Sequence, residues 1–171
     1  MTISDARSGL LHRLRMALPG PAFTALGTAL WAVAMAASAA VSLLAGGRIE
    51  AAHSSTVIVI FALGGVLSFP VALYLTRLVV PGAGAERRYA AAFLALGICT
   101  ILATAFVFSM HYRVYFAQWH GDFPSVQWVF QLLFTGASAV YQFAVLGTRL
   151  FFPLGIVLLF GASLLVARQA R

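Results

Sequence analysis

Residues 111 to 124, HYRVYFAQWHGDFP, hold the most chemically varied set of side chains in the sequence. Imidazole suits zinc or copper, so His111 and His120, with His53 near Glu50 in an earlier polar stretch, are the candidates for a metal centre. The spacing argues against one. There is no His-x-x-His pair, HExxH helix or Cys/His zinc pattern, and the only cysteine, Cys99, lies in an apolar run. A haem held by two histidines needs both at matching depth on facing spans, whereas each histidine here stands at a span end or in a loop. Neither metal nor cofactor is expected. A quinone or lipid pocket asks less, and His111, Tyr112, Arg113, Trp119, His120 and Asp122 offer the side chains for one on the outer side. The competing reading is an aromatic belt, since Trp and Tyr gather where membrane meets water.

Arg149 stands between two apolar runs with no acidic neighbour in sequence. An arginine at the bilayer centre costs at least about 2.5 kcal/mol. Inside a crossing it would need Asp122 or Glu50 as a partner; at the outer boundary it would snorkel to phosphate. The boundary is the preferred placement. Ser109, Ser138 and Ser163 lack the context of an activated nucleophile. The four carboxylates, Asp5, Glu50, Glu86 and Asp122, all fall in tails or loops, which disfavours transport coupled through an intramembrane carboxylate. There is no phosphate or dinucleotide fingerprint, and no enzyme is expected.

These residues must be positioned by elements that live in lipid. The chain of 171 residues is 62% hydrophobic and 9% charged, against about 25% charged in soluble domains. Its net charge of +7 comes from arginines at the ends of apolar runs, with no lysine. That pattern fits membrane orientation and contact with lipid rather than nucleic acid. The arginine, alanine and glycine usage reads as a bacterial chain of an inner membrane.

The reading is an all-α integral membrane protein: a bundle of four transmembrane helices, five being possible, with an extra amphipathic outer-side helix before the last span. Residues 1–20 form a basic interfacial segment with leucines at helical spacing. One transmembrane domain covers 21–171, with spans near 23–45, 56–78, 89–110 and 150–167. The first span is preferred to a cleaved leader despite its Ala-x-Ala sites. Helix-packing faces are expected at Ala32, Ala36 and Ala40, at Gly64 and Gly65, and at Ala95, Cys99 and Ala103, because small residues let helix backbones approach. Pro70 predicts a kink.

Residues 125–167 are apolar for about 65 Å as one straight helix, roughly twice the hydrocarbon thickness. They must bend or fold back, and Gly147 and Pro153 offer the place. With four crossings and a cytoplasmic N-terminus, eight arginines (7, 13, 15, 77, 87, 88, 168 and 171) lie inside and three outside. Five crossings weaken this to seven and four, so positive-inside counting favours four, with the C-terminus also cytoplasmic. Gln127, Gln131, Thr135, Ser138, Gln142 and Arg149 recur at the period of one helix face. Residues 126–149 are therefore an amphipathic segment whose stripe is a possible pathway or partner face.

The functional expectation is a non-catalytic accessory or assembly subunit, in contact with membrane lipids and with other membrane subunits or itself. One alternative is an oligomeric small-molecule or lipid transporter or channel with the stripe lining its pathway. The other is a redox or lipid-modifying enzyme.

Overall fold

The computed structural model describes residues 17–50 and 52–169. The basic segment expected as an interfacial helix lies, up to residue 16, outside them. The described residues form an all-α bundle without strands.

Local signals set the boundaries. α1 (Pro21–Ala45) starts with Pro21 in its first turn, where the missing N–H costs nothing. It ends in a Schellman turn: Gly47 takes φ 64°, and the N–H groups of Arg48 and Gly47 donate to the carbonyls of Leu43 and Leu44 at 2.8 and 3.0 Å. α2 (Ser54–Val79) continues through Pro70 without a break and stops before Pro81. α3 (Ala85–Phe116) carries Glu86 in its first turn and Arg113 in its last, each complementing the helix dipole. A 3₁₀ turn over Ala117–Trp119 prolongs it. α4 (Val126–Gln142) is capped by the Ser125 hydroxyl, which accepts from the Trp128 N–H at 3.1 Å. It passes into a π-turn at Phe143–Gly147 and a 3₁₀ turn at Thr148–Phe151. α5 (Leu154–Gln169) follows Pro153.

α2 is the centre of the bundle, flanked by α1 and α3. The Gly65 position lies so close to α1 that an added Cβ would stand 2.8 Å from Ala32 Cα. The same atom on Gly64 would stand 2.9 Å from Thr104 Cα on α3. The buried line of α3 is Ala92, Leu96, Thr100 and Thr104, with Ala95, Cys99 and Ala103 half-buried beside it. On α1 the buried line is Trp31, Met35, Ser38, Ala39 and Leu43, with Ala32, Ala36 and Ala40 half-buried on its flank. At the core, the Trp31 indole N–H donates to Thr100 Oγ1 at 3.0 Å, and the Thr100 hydroxyl donates to the Leu96 carbonyl at 2.6 Å.

The last helical stretch of the chain is discontinuous. Contacts step in opposite directions along α3 and the later chain: His120 meets Thr135, Tyr112 meets Gln142, Gly97 meets Leu159 and Phe93 meets Phe160. Residues 126–169 thus form one broken antiparallel partner of α3. Among the described residues, four helices are long and apolar enough to span a membrane: Pro21–Ala45, Ser54–Val79, Ala85–Trp119 and Val126–Phe151. The Leu154–Gln169 helix has 16 residues, about 24 Å, and completes its descent only together with the turns above it. The last span read at 150–167 covers the end of the Thr148–Phe151 turn and most of the Leu154–Gln169 helix.

Both ends of the described chain lie at one end of the bundle. The Arg77 guanidinium donates to the Leu18 carbonyl at 3.1 Å and to the Gln169 carbonyl at 3.0 Å.

Candidate functional site

The chemically varied residues collect on a hairpin that outruns the bundle. Ser68 bonds Thr100, and Gly64 abuts Thr104. This register brings the start of α2 level with position 114 of α3. The α3–α4 register brings position 114 level with about position 140. Residues 115–139 therefore lie beyond the Ser54 end of α2, and the α4 part of them is about 20 Å long. Among helices, α4 leans on α3 alone apart from slight contacts, before continuing into the π-turn.

The polar stripe of α4 faces α3. Gln131 Oε1 accepts from the Gly121 N–H at 2.7 Å, Thr135 Oγ1 lies 3.2 Å from His120 Nε2, and Gln142 Nε2 donates to the Tyr112 hydroxyl at 3.1 Å. Ala139, fully buried, lies between them. Gln127 and Ser138 are exposed at the stripe's edge. The side of α4 away from its polar stripe is apolar, with Val126, Leu133 and Val140 more than half exposed, and the flank beside Gln127 carries Phe130, Phe134 and Tyr141, also more than half exposed. Trp119, Tyr115 and Val114 of α3 are exposed beside it.

The predicted outer-side residues are split. Trp119 and His120 line a hollow of about 590 Å³ together with Gln127 and Gln131. Tyr112 is engaged with Gln142, while His111 and Asp122 are exposed and do not line that hollow, nor does half-buried Arg113. Among the described residues there is no group of three His, Cys, Asp or Glu side chains able to hold a metal. An aromatic ladder supports the hairpin: Phe108, Tyr112, Phe116 and Trp119 follow one another at 6.1, 4.5 and 5.6 Å between ring centroids.

The Arg149 backbone lies inward of the end of α1. The residue is exposed in the 3₁₀ turn, and its neighbour Leu150 accepts a hydrogen bond from Ser38, seven residues inward of the α1 end. That places its backbone roughly 10 Å below the α1 terminus. No carboxylate among the described residues pairs with it.

The sequence does not single out a second cavity of about 280 Å³, at the end of the bundle where α1 stops and α2 starts. It is walled by Val57, Phe61, Phe108, Phe143, Leu146 and Leu150, with Arg48 and Gln142 also lining it. Its residues come from four separate stretches, so no local motif announces it. The π-turn was the only available signal, because such turns recur at functional sites, and hydropathy does not reveal one.

Comparison with protein-family models, with curated proteins and with solved structures returns no match.

Proposed function

We propose that this chain is a small bacterial inner-membrane protein that acts without catalysis as an accessory or assembly subunit. The outer face of its α3–α4 hairpin seats against the helices of another membrane protein. One observation carries the reading: α4 spends Gln131, Thr135 and Gln142 of its stripe on α3 and its following turn, and leaves large apolar side chains exposed beyond the end of α2. Acyl tails of an upright bundle's own bilayer end near that level, and water would leave this surface uncovered at about 25 cal/mol per Å². Uncovered apolar patches of this kind mark interaction surfaces. The aromatic side chains on it are those enriched at interface centres. Arg77, Arg87, Arg88 and Arg168 at the shared end of the described chain support a cytoplasmic position for that end.

The test is a photo-crosslinking amino acid at Phe130 or Phe134, with Val33 on the bare face of α1 for comparison, in native membranes. One discrete protein adduct is expected from both α4 positions, weakened by Phe134→Gln, with lipid adducts alone from Val33. Lipid adducts alone from α4 would sink the subunit reading.

A lipid or small-molecule pathway is the second reading, favoured by the break at 143–153 because transporter sites are often built where membrane helices are discontinuous. It predicts that the pure chain in vesicles moves a fluorescent lipid or solute between the two sides. A pure chain that binds its partner but moves neither would leave the subunit reading.

A further inference from the structure

We propose that the outer cavity beneath Arg48 holds one acyl chain whose anionic head lies at the Arg48 guanidinium. This site is separate from the hairpin face and does not depend on the partner reading. The cavity of about 280 Å³ is close to the small end of ligand sites. Its walls, from Val57 and Phe61 to Phe143 and Leu150, are apolar. Such a lining recognises a chain, not a sugar or nucleotide.

The two polar side chains on the lining are Arg48 and Gln142. The Arg48 backbone is fixed by its turn, and its side chain is exposed. The positive φ of Gly47 returns the chain over the end of α1, and the Arg48 N–H bonds the Leu43 carbonyl. Its guanidinium is then folded back to within 3.2 Å of where a Gly46 Cβ would stand. No carboxylate among the described residues pairs with it, including Glu50 two positions on. Gln142 is oriented by the bond from its Nε2 to Tyr112, which leaves its oxygen as an acceptor for a protonated or hydroxyl-bearing head. One unpaired cation over an apolar cleft selects an anionic amphiphile over a zwitterionic one.

The cleft keeps its shape through Gly147. A Cβ at Gly147 would meet the Phe143 ring, coming within 2.8 Å of its Cε2 atom, so glycine lets that ring fold over the π-turn and form the wall. Leu146 lines the cavity and is also 57% exposed. The cleft therefore opens sideways, towards the outer leaflet from which a chain would enter.

The same chemistry is presented by a free fatty acid and by an anionic phospholipid, and the experiment separates them. The purified full-length protein is titrated in detergent with oleate, dioleoyl-phosphatidylglycerol or dioleoyl-phosphatidylcholine, and adducts are counted by native mass spectrometry. One equivalent of oleate or of phosphatidylglycerol is expected, held at least tenfold more tightly than phosphatidylcholine. Oleate alone identifies a fatty acid, and phosphatidylglycerol alone identifies the phospholipid. Arg48→Gln should lower retention about tenfold, while Arg149→Gln, off the lining, should leave it unchanged. Leu146→Trp should block it by filling the cleft. Should Leu146→Trp not fold, Arg48→Gln in the exposed loop still decides. Equal retention of phosphatidylcholine, no adduct at all, or full retention by Arg48→Gln would overturn the proposal.

Discussion

The Gln142 side-chain amide donates a 3.1 Å hydrogen bond to the Tyr112 hydroxyl at the point where the α3–α4 hairpin leaves the bundle. Below this pair, the chain enters the π-turn and packs Phe143 against Phe61 and Phe108 at 6.4 and 5.9 Å between ring centroids. Above it, α4 leans mainly on α3 among the described helices. The pair is thus the lowest polar clamp on an otherwise lightly held helix.

Its strength is expected to be modest. Hydrogen bonds between membrane helices average roughly 0.6 kcal/mol in double-mutant cycles, because the unfolded chain finds other partners in lipid. Tyr112→Phe and Gln142→Leu should therefore show a coupling of about 0.5–1 kcal/mol when unfolding is followed in mixed micelles. A coupling of zero would mean that the two side chains do not act together.

Gly65 and Gly161 should respond in opposite ways to alanine. A methyl at Gly65 meets backbone atoms of α1, Ala32 Cα at 2.8 Å and the Trp31 carbonyl at 3.0 Å. Backbone cannot rotate aside, so the helices must separate, at a cost of about 1–3 kcal/mol. Gly161 has nothing within 4 Å of its added Cβ, so Gly161→Ala should be neutral or gain up to about 1 kcal/mol of helix propensity. Thermal unfolding of the two variants in one detergent checks the contrast.

Much of the scaffold was legible in the sequence. The spans read at 23–45, 56–78 and 89–110 fall inside Pro21–Ala45, Ser54–Val79 and Ala85–Phe116, because runs bounded by Pro and Gly punctuation have few other readings. The period of Gln127, Gln131, Thr135 and Gln142 was also legible, since one helix face repeats locally. The direction of that stripe was not, because it depends on Tyr112 and His120 across the hairpin. The buried lines of α1 and α3 lie one position off the small-residue lines read from sequence. In lipid both faces of a helix are apolar, so hydropathy gives no phase. The better markers were Ser38, Thr100 and Thr104, polar side chains that hide from lipid. The Arg48 cavity was invisible because its walls are assembled from segments up to about a hundred positions apart.

The register of the hairpin predicts a labelling pattern from the outer side. Cysteines placed at Gln127 and Ser138, exposed and beyond the end of α2, should react with an impermeant maleimide in partner-free vesicles. Cysteines at Val157 and Phe160, on α5 beside the inner half of α3, should resist. A cysteine at Gln131, half-buried against Gly121, should react more slowly than one at Gln127. Uniform protection of 127, 131 and 138 would place the hairpin within the hydrocarbon and remove the height argument for a partner.

The break in the fourth span creates a debt that Ser38 settles. Leu150 closes a 3₁₀ turn, and the next chain position that could bond its carbonyl in that pattern is Pro153, which has no N–H. Ser38, 1% exposed, donates its hydroxyl to that carbonyl at 3.0 Å from α1. Gly155 makes room for it, since a Cβ there would lie 2.9 Å from Ser38 Oγ. Ser38→Ala keeps the volume nearly unchanged but strands the Leu150 carbonyl in an apolar interior. The expected loss is about 1–3 kcal/mol, the penalty of an unsatisfied buried group. Amide exchange should quicken at the first turn of α5, which leans on the same bond, while the α1–α2 contact at Gly65 stays protected. If Ser38→Ala unfolds at the wild-type midpoint with unchanged exchange at residues 154–157, water or a shifted backbone supplies the donor and the bond does not hold the break in place.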